Sequence, residues 1–184
     1  GKDGMGNVIH HYGTSTIWGL ELGSKTDGNG VFALHGGTLN VYYEHIGTLG
    51  TGSFNQDGGT HNYDTLFIGQ HSGSSGSYNL VNGTLTGVGS ARAMIGMLGV
   101  GTFTHTGGTH TTGNLVVGSS AGVTGFYSDG TYALSGGTLE AQVENIGENG
   151  IGRFIQDGGS NRVSNLLWVG HVEGEGAYSL SSGE

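Results

Sequence analysis

Apolar and polar residues alternate along this chain in short bursts that glycine interrupts, and the bursts recur. The stretch Gly130-Thr-Tyr-Ala-Leu-Ser-Gly-Gly-Thr-Leu139 returns as Gly30-Val-Phe-Ala-Leu-His-Gly-Gly-Thr-Leu39 and as Gly76-Ser-Tyr-Asn-Leu-Val-Asn-Gly-Thr-Leu85, with a shorter copy at Gly176-Ala-Tyr-Ser-Leu-Ser-Ser-Gly183. Between them lies a sister phrase: Gly52-Ser-Phe-Asn-Gln-Asp-Gly-Gly-Thr60, Gly101-Thr-Phe-Thr-His-Thr-Gly-Gly-Thr109 and Gly152-Arg-Phe-Ile-Gln-Asp-Gly-Gly-Ser160. A worn version stands at Gly6-Asn-Val-Ile-His-His-Tyr-Gly-Thr14. Within each phrase the period is two. Phe32 and Leu34 share a face, as do Tyr132 and Leu134; beyond the corner, Leu39, Val41 and Tyr43 alternate, matched by Leu139, Ala141 and Val143. This is the signature of short half-buried strands. A helix is excluded, because glycine falls in every stretch and costs a helix about 1 kcal/mol relative to alanine.

The marker residues Val8, Phe32, Phe54, Tyr78, Phe103, Tyr132, Phe154 and Tyr178 follow at intervals of 24, 22, 24, 25, 29, 22 and 24 residues. Units with leucine two places after the marker alternate with units carrying Gln or His there, giving a double repeat of 46 residues from Phe32 to Tyr78. The approximate double repeats are 1–29, 30–75, 76–129 and 130–175, followed by the partial coil 176–184. A unit this short cannot bury both its strands alone, but stacked on identical neighbours it can. The expected fold is therefore all-β: a single parallel β-solenoid of about seven to eight coils, wound right-handed. At a strand spacing of ~4.8 Å, seven coils make a rod roughly 34 Å long. A β-propeller is the rival, but the two halves of each double repeat resemble each other, which the strands of a blade need not do.

In the solenoid, Phe32, Phe54, Tyr78, Phe103, Tyr132, Phe154 and Tyr178 are expected to stack as an internal aromatic ladder, and Leu39, Leu85 and Leu139 as another. Thr38, Thr60, Thr84, Thr109, Thr138 and Ser160 line up at the glycine corner as a hydroxyl ladder. Three irregularities interrupt the count: a three-residue insertion in the Gly87–Ala93 region, an outward loop from Ser119 to Asp129, and a one-residue bulge near Trp168. Solenoid insertions are surface loops and frequent binding sites, so Phe126 and Tyr127 are candidate contact residues. Laid on the repeat, Gly1–Gly6 falls on Gly47–Gly52, and Gly183-Glu184 falls on Gly137-Thr138. The sequence starts and stops in mid-repeat, from which end-to-end stacking or membership of a longer rod is expected.

Composition narrows the function. Glycine accounts for 42 of 184 residues, and the chain has no cysteine and no proline. Absence of cysteine removes disulfides and thiolate metal sites. A net charge of −9 with only five Lys and Arg argues against nucleic acid and anionic membranes as partners. No apolar run approaches the roughly 18 residues of a spanning helix. Sparse charge with abundant Gly, Ser, Thr and Asn suits an extracellular or bacterial cell-surface protein.

With the G-x-(F/Y)-x-(Q/L)-x-G-G-T units and the closers Ile46-Gly47, Ile68-Gly69, Ile95-Gly96, Val117-Gly118, Ile146-Gly147 and Val169-Gly170 laid out, the chain resembles the autotransporter-associated β-strand repeat proteins from Gly4 to Gly183. The resemblance implies a parallel β-helix on a bacterial surface, serving as stalk, adhesin or filament, and it brings no catalytic residues.

Candidate chemistry is weak beside this. His61 and His110 take the same position two coils apart, about 9.6 Å, with Leu85 between them, so they cannot share a zinc ion. They are expected to be solvated or to join a ladder. Gln56, His105 and Gln156 occupy the slot that elsewhere holds Leu34, Leu80 and Leu134; if it faces inward, they must hydrogen-bond in the core, and bonds to neighbouring corners would fix which unit stacks on which. Asp57 and Asp157 beside Gly-Gly raise the question of structural calcium, but no unit gathers six oxygens, and Glu44 and Glu144 are taken as two coils apart. No cofactor is expected beyond that remote calcium alternative. A polysaccharide-degrading enzyme would need an acidic cluster with a base beside it, and Arg92, Arg153 and Arg162 fall in different phases. An ice-binding face would need Thr where Asn40, Asn62, Glu140 and Arg162 stand. The expectation is a non-enzymatic structural segment, a self-associating rod or filament subunit partnered head to tail by itself; an adhesin stalk binding glycan or a cell surface through the 119–129 loop is the alternative.

Overall fold

The computed structural model describes residues 4–120 and 128–184. The strands, in chain order, are β1 (Met5–His10), β2 (Thr14–Leu22), β3 (Asn29–Leu34), β4 (Thr38–Ile46), β5 (Thr51–Gln56), β6 (Thr60–Ile68), β7 (Ser75–Leu80) and β8 (Thr84–Ile95). They continue with β9 (Val100–His105), β10 (Thr109–Ser119), β11 (Asp129–Leu134), β12 (Thr138–Glu148), β13 (Ile151–Asp157), β14 (Ser160–His171) and β15 (Glu175–Ser182). Odd-numbered strands form one parallel eight-stranded sheet and even-numbered strands a parallel seven-stranded sheet, each strand paired with its equivalent one coil away. This is the parallel β-solenoid that the repeat dictates, with about seven turns.

The short strands follow the two-residue alternation: in β3, Gly30, Phe32 and Leu34 face inward, and β5 and β7 repeat the pattern. Register is in phase throughout, so Phe32, Phe54, Tyr78, Phe103, Tyr132, Phe154 and Tyr178 lie directly opposite one another. Their rings stack nearly parallel at centroid separations such as 4.9 Å for Phe32–Phe54 and 4.6 Å for Phe103–Tyr132. The separation is the strand spacing itself, so the backbone ladder sets the ring stack.

The long strands depart from the sequence reading. In β4, Leu39 and Val41 face inward, but Tyr42 and Tyr43 are both exposed, and Glu44 and Ile46 are buried. Each long strand bends after its fourth residue and resumes alternation in the opposite phase. Tyr43 therefore points outward, not inward, and a carboxylate takes the core position that follows. Glu44 and Glu144 also stand farther apart than expected. The row runs Glu44, Leu66, Ala93, Leu115, Glu144, four strand steps between the two acids.

The three-residue insertion appears in β8, where Gly87 pairs with Tyr63 but the next partner of β6, Thr65, meets Arg92. The extra residue of β14 lies between Val163 and Leu166 rather than near Trp168, because Leu166 pairs with Val143 while Leu167 takes the row of Leu66. Ser119, Ser120 and Ser128, on either side of residues 121–127, are buried. Phe126 and Tyr127 lie outside the described residues.

Glycine shapes both turns of each coil. The second glycine of the corner pair has positive φ, as at Gly137 (79°), and so does the glycine closing each long strand, as at Gly118 (74°). The corner row Thr38, Thr60, Thr84, Thr109, Thr138 and Ser160 is in register from coil to coil. Each of its backbone N–H groups donates to a corner glycine one coil back, Thr60 to Gly37 at 2.9 Å and Thr84 to Gly59 at 3.0 Å.

Candidate functional site: a buried polar clip and an outer groove

Among the described residues three polar clusters are built into the core, at the units whose leucine slot holds a fully buried Gln or His; His10 takes the same slot in the first unit but is only half-buried. Gln56, His105 and Gln156 face inward and are almost completely buried. The following corner throws a second polar residue inward at the head of the long strand: His61, His110 or Asn161. From the next coil, a tyrosine of the aromatic ladder reaches both.

In the first cluster, the Tyr78 hydroxyl donates to Gln56 Oε1 at 2.6 Å, and His61 Nδ1 lies 3.0 Å from the same hydroxyl. Gln56 Nε2 donates to the carbonyls of Gly59 and Thr84 at 3.3 and 3.1 Å. In the third, the Tyr178 hydroxyl donates to Gln156 Oε1 at 2.9 Å while Asn161 Nδ2 donates to the tyrosine at 3.2 Å and to Glu144 Oε2 at 3.1 Å.

The second cluster is all aromatic and histidine, and one set of tautomers satisfies it. His105 Nε2 is 3.4 Å from the Gly108 carbonyl, which makes it the donor and leaves Nδ1 to accept from Tyr132 at 2.9 Å. His110 Nδ1 then donates to the Tyr132 oxygen at 3.2 Å, and His110 Nε2 accepts from Tyr63 at 2.9 Å. Every link closes with both histidines neutral; the assignment follows from the bonding network. Burial holds both below their ordinary range. His105 is pulled down to about 4, mainly by desolvation and partly offset by the carbonyls of Gly108 and Gly107; His110 is pulled well down by burial and by the neighbouring His105 and His61. Burial, with nearby Glu144 adding to it, pushes the Tyr132 hydroxyl upward.

His61 and His110 are thus buried in the ladder rather than solvated. They stack on the ladder, His61 on Phe54 at 4.8 Å and His110 on Phe103 at 5.1 Å, separated by Leu85 as the register required. His61 Nε2 also stands 3.2 Å from Glu44 Oε2, both side chains fully buried, although the two are not aligned as a hydrogen bond. Glu144 is a separate acid whose pKa burial raises to about 7, with the Asn161 hydrogen bond opposing.

His105→Gln tests this account. Gln56 and Gln156 already fill the equivalent slot and reach the equivalent carbonyl. Between pH 6.5 and 4 the unfolded chain takes up a proton that folded His105 refuses, so its contribution is complete above pH 6.5 and is lost as pH falls toward 4. At pH 7 the variant should match the parent; at pH 5 it should be more stable by roughly 2 kcal/mol in urea titrations. Equal acid sensitivity in parent and variant would show that His105 is not the group responsible.

The polar residues outside the core form no such assembly. Arg92, Arg153 and Arg162 pair separately with Glu148 (3.9 Å), Asp129 and Glu140 (3.9 Å). Asp57 is engaged by His35 Nδ1 at 2.7 Å. Among the described residues no three His, Asp or Glu side chains gather around one point that could hold a metal ion.

The bend of the long strands leaves a groove on the outside of the rod. Val41, the fourth residue of β4, lines it. One wall is the row Thr16, Asn40, Asn62; the other follows the bend through Tyr42 and Asp64. This segment holds about 290 Å³. A second segment of about 710 Å³ opens on the far side of the β8 insertion, lined by Gly87, Thr111, Gly113, Glu140, Gln142 and Arg162 among others.

No family model, curated protein or solved structure matches the chain, so the resemblance to the autotransporter-associated repeats rests on the sequence motifs alone.

Proposed function

We propose that this chain is a structural segment of a bacterial extracellular protein of the autotransporter-repeat kind: a rod that lengthens by adding coils end on, including coils of a second copy. The observation that supports this reading is the register: among the described residues each coil pairs with the next through the same in-phase backbone ladder and the same stacked core rows, so any coil offers a matching face to another of its kind. Val8 lies in the aromatic row and Val169 in the row of Ile146. The sparsely charged, low-lysine composition suits the outside of a cell, and the reading requires no catalytic step.

The test is the assembly state of residues 1–184. Light scattering should show growth with concentration, and electron microscopy should show rods of uniform width. Val8→Lys and Val169→Lys, each placing a charge in one of these rows, should abolish growth. A chain that stays monomeric at every concentration, or whose assembly ignores both substitutions, overturns end-on association.

A further inference from the structure

We infer that the outer groove beside Trp18, Tyr42 and Tyr43 is a binding site for a linear neutral polysaccharide. This goes beyond the rod reading and does not depend on it; a rod can assemble with or without the site.

The bend that breaks the strand alternation places two consecutive side chains outside in each coil. In β2 they are Trp18 and Gly19, and in β4 they are Tyr42 and Tyr43. The three rings make one surface, Trp18 lying 4.9 Å from Tyr42 and 5.6 Å from Tyr43 between centroids. They are 70, 41 and 46 percent exposed. Single exposed aromatics are ordinary, but three in mutual contact form a patch that marks an interaction site. Nothing in the core requires them: the aromatic ladder is a different row on the opposite sheet.

Beside the rings runs a line of amides. Asn62 Nδ2 donates to Asn40 Oδ1 at 2.8 Å, and Asn40 Nδ2 donates to Thr16 Oγ1 at 3.3 Å. The chain of bonds orients each side chain along the rod axis and leaves each amide a second N–H. Asp64 adds a carboxylate to the opposite wall. The groove thus has apolar flat faces on one side and fixed donors and acceptors repeating every ~4.8 Å on the other.

The occupant must carry apolar faces and hydrogen-bonding groups on one rigid axis, recurring on about that length. A linear sugar polymer does: its C–H faces lie on aromatic rings, and its hydroxyls meet amides and carboxylates. An extended peptide is a poorer fit along most of the groove, since strand addition needs an unpaired edge: β4 and β6 are paired on both sides, and β2, carrying Thr16 and Trp18, is the one strand here with a free edge. Charge selects further. Asp64 in the wall and a net charge of −9 disfavour acidic polymers. The site differs from the Ser119–Asp129 segment and draws all its residues from the rod.

The experiment uses the full chain carrying Trp168→Phe, which leaves Trp18 as its only tryptophan. Cellohexaose, xylohexaose and chitohexaose are titrated while its fluorescence is followed, with polygalacturonate and a casein digest as the charged and peptide arms. At least one neutral hexaose should give a saturable change. Tyr42→Ala and Asn62→Ala should each weaken that binding tenfold or more, with circular dichroism and urea midpoint unchanged. No saturable response to any hexaose, equal binding by both variants, or a response only to polygalacturonate or the digest would each overturn the assignment.

Discussion

Gly118→Ala should cost the solenoid more than 4 kcal/mol, enough to threaten a domain whose whole stability is of order 5–15 kcal/mol. The glycine has φ of 74°, and a Cβ built on it would stand 2.1 Å from the Ile151 carbonyl oxygen and 2.6 Å from the Gly152 nitrogen. Both contacts are backbone, and the backbone there belongs to β13, held in its sheet by neighbours on either side. The methyl cannot be accommodated by rotating a side chain; it must push one coil away from the next. Gly73→Ala separates this from the conformational effect. Gly73 has φ of 81° with nothing within 4 Å of its built Cβ, so its substitution should carry only the left-handed cost of about 1–2 kcal/mol. Urea unfolding followed by circular dichroism measures both. If the two variants lose similar stability, the close approach of the coils at Gly118 is not what the glycine serves.

Glu144→Gln should reverse part of the pH dependence. The folded chain keeps the Glu144 proton up to about pH 7, whereas the unfolded chain releases it near its ordinary 4.5. Across that window the native state binds more protons, so this acid lowers stability as pH rises, by roughly 3 kcal/mol in total, and then levels off. Relative to the parent, the glutamine variant should therefore gain about that much between pH 4 and pH 8, whatever its offset at pH 4. The histidines slope the other way, His105 losing its contribution as pH falls toward 4. The parent should accordingly be most stable near neutrality. A difference between parent and Glu144→Gln that is flat across pH 4–8 would show that the carboxyl is not held in its protonated form by the fold.

What could be read in advance follows from which residues carry position-specific tags. The corner glycines and the marker aromatics recur at fixed offsets, so the coil, its register and the three extra residues of β8 were countable from the letters alone. The bend in the long strand carries no such tag. Val41, Tyr42 and Tyr43 are all compatible with a continuous strand, and alternation assigned Tyr43 to the core when it stands 46 percent exposed. The phase carried past the bend gave no sign that Glu44 and Glu144 are core residues. For the same reason the bulge of β14 was placed near Trp168, by matching Leu166 instead of Leu167 to Leu66. The polar slot at Gln56, His105 and Gln156 was visible, and so were its bonds to the corners, which the carbonyls of Gly59, Gly108 and Gly159 supply, but its tyrosine partners were not. A signal for them existed. Phenylalanine fills the ladder in the Gln or His units, at 54, 103 and 154, and tyrosine fills it in the unit that follows, at 78, 132 and 178. A hydroxyl placed one coil after every buried amide or imidazole is a pairing rule, and it could be read without coordinates. The groove was less legible, since Trp18 and Tyr42 come together only when β2 and β4 are laid side by side and both bend at the same residue.

The tyrosine bridge gives the rod a parity. A coil carrying a fully buried Gln or His in the slot needs a tyrosine above it, and that tyrosine's own coil carries leucine, which asks for nothing from the next; half-buried His10, with Phe32 above it, turns to the Gly13 carbonyl instead. Losing or gaining one coil would set phenylalanine over Gln56 or His105 and strand a buried polar group; losing or gaining two would leave every clip intact. The inheritable unit of length is therefore the pair, 46 residues from Phe32 to Tyr78. A gene of this kind can grow or shrink by recombination between its own repeats, but only even steps yield a product that folds as well as its parent. Variants of this rod should differ in length by whole pairs of coils.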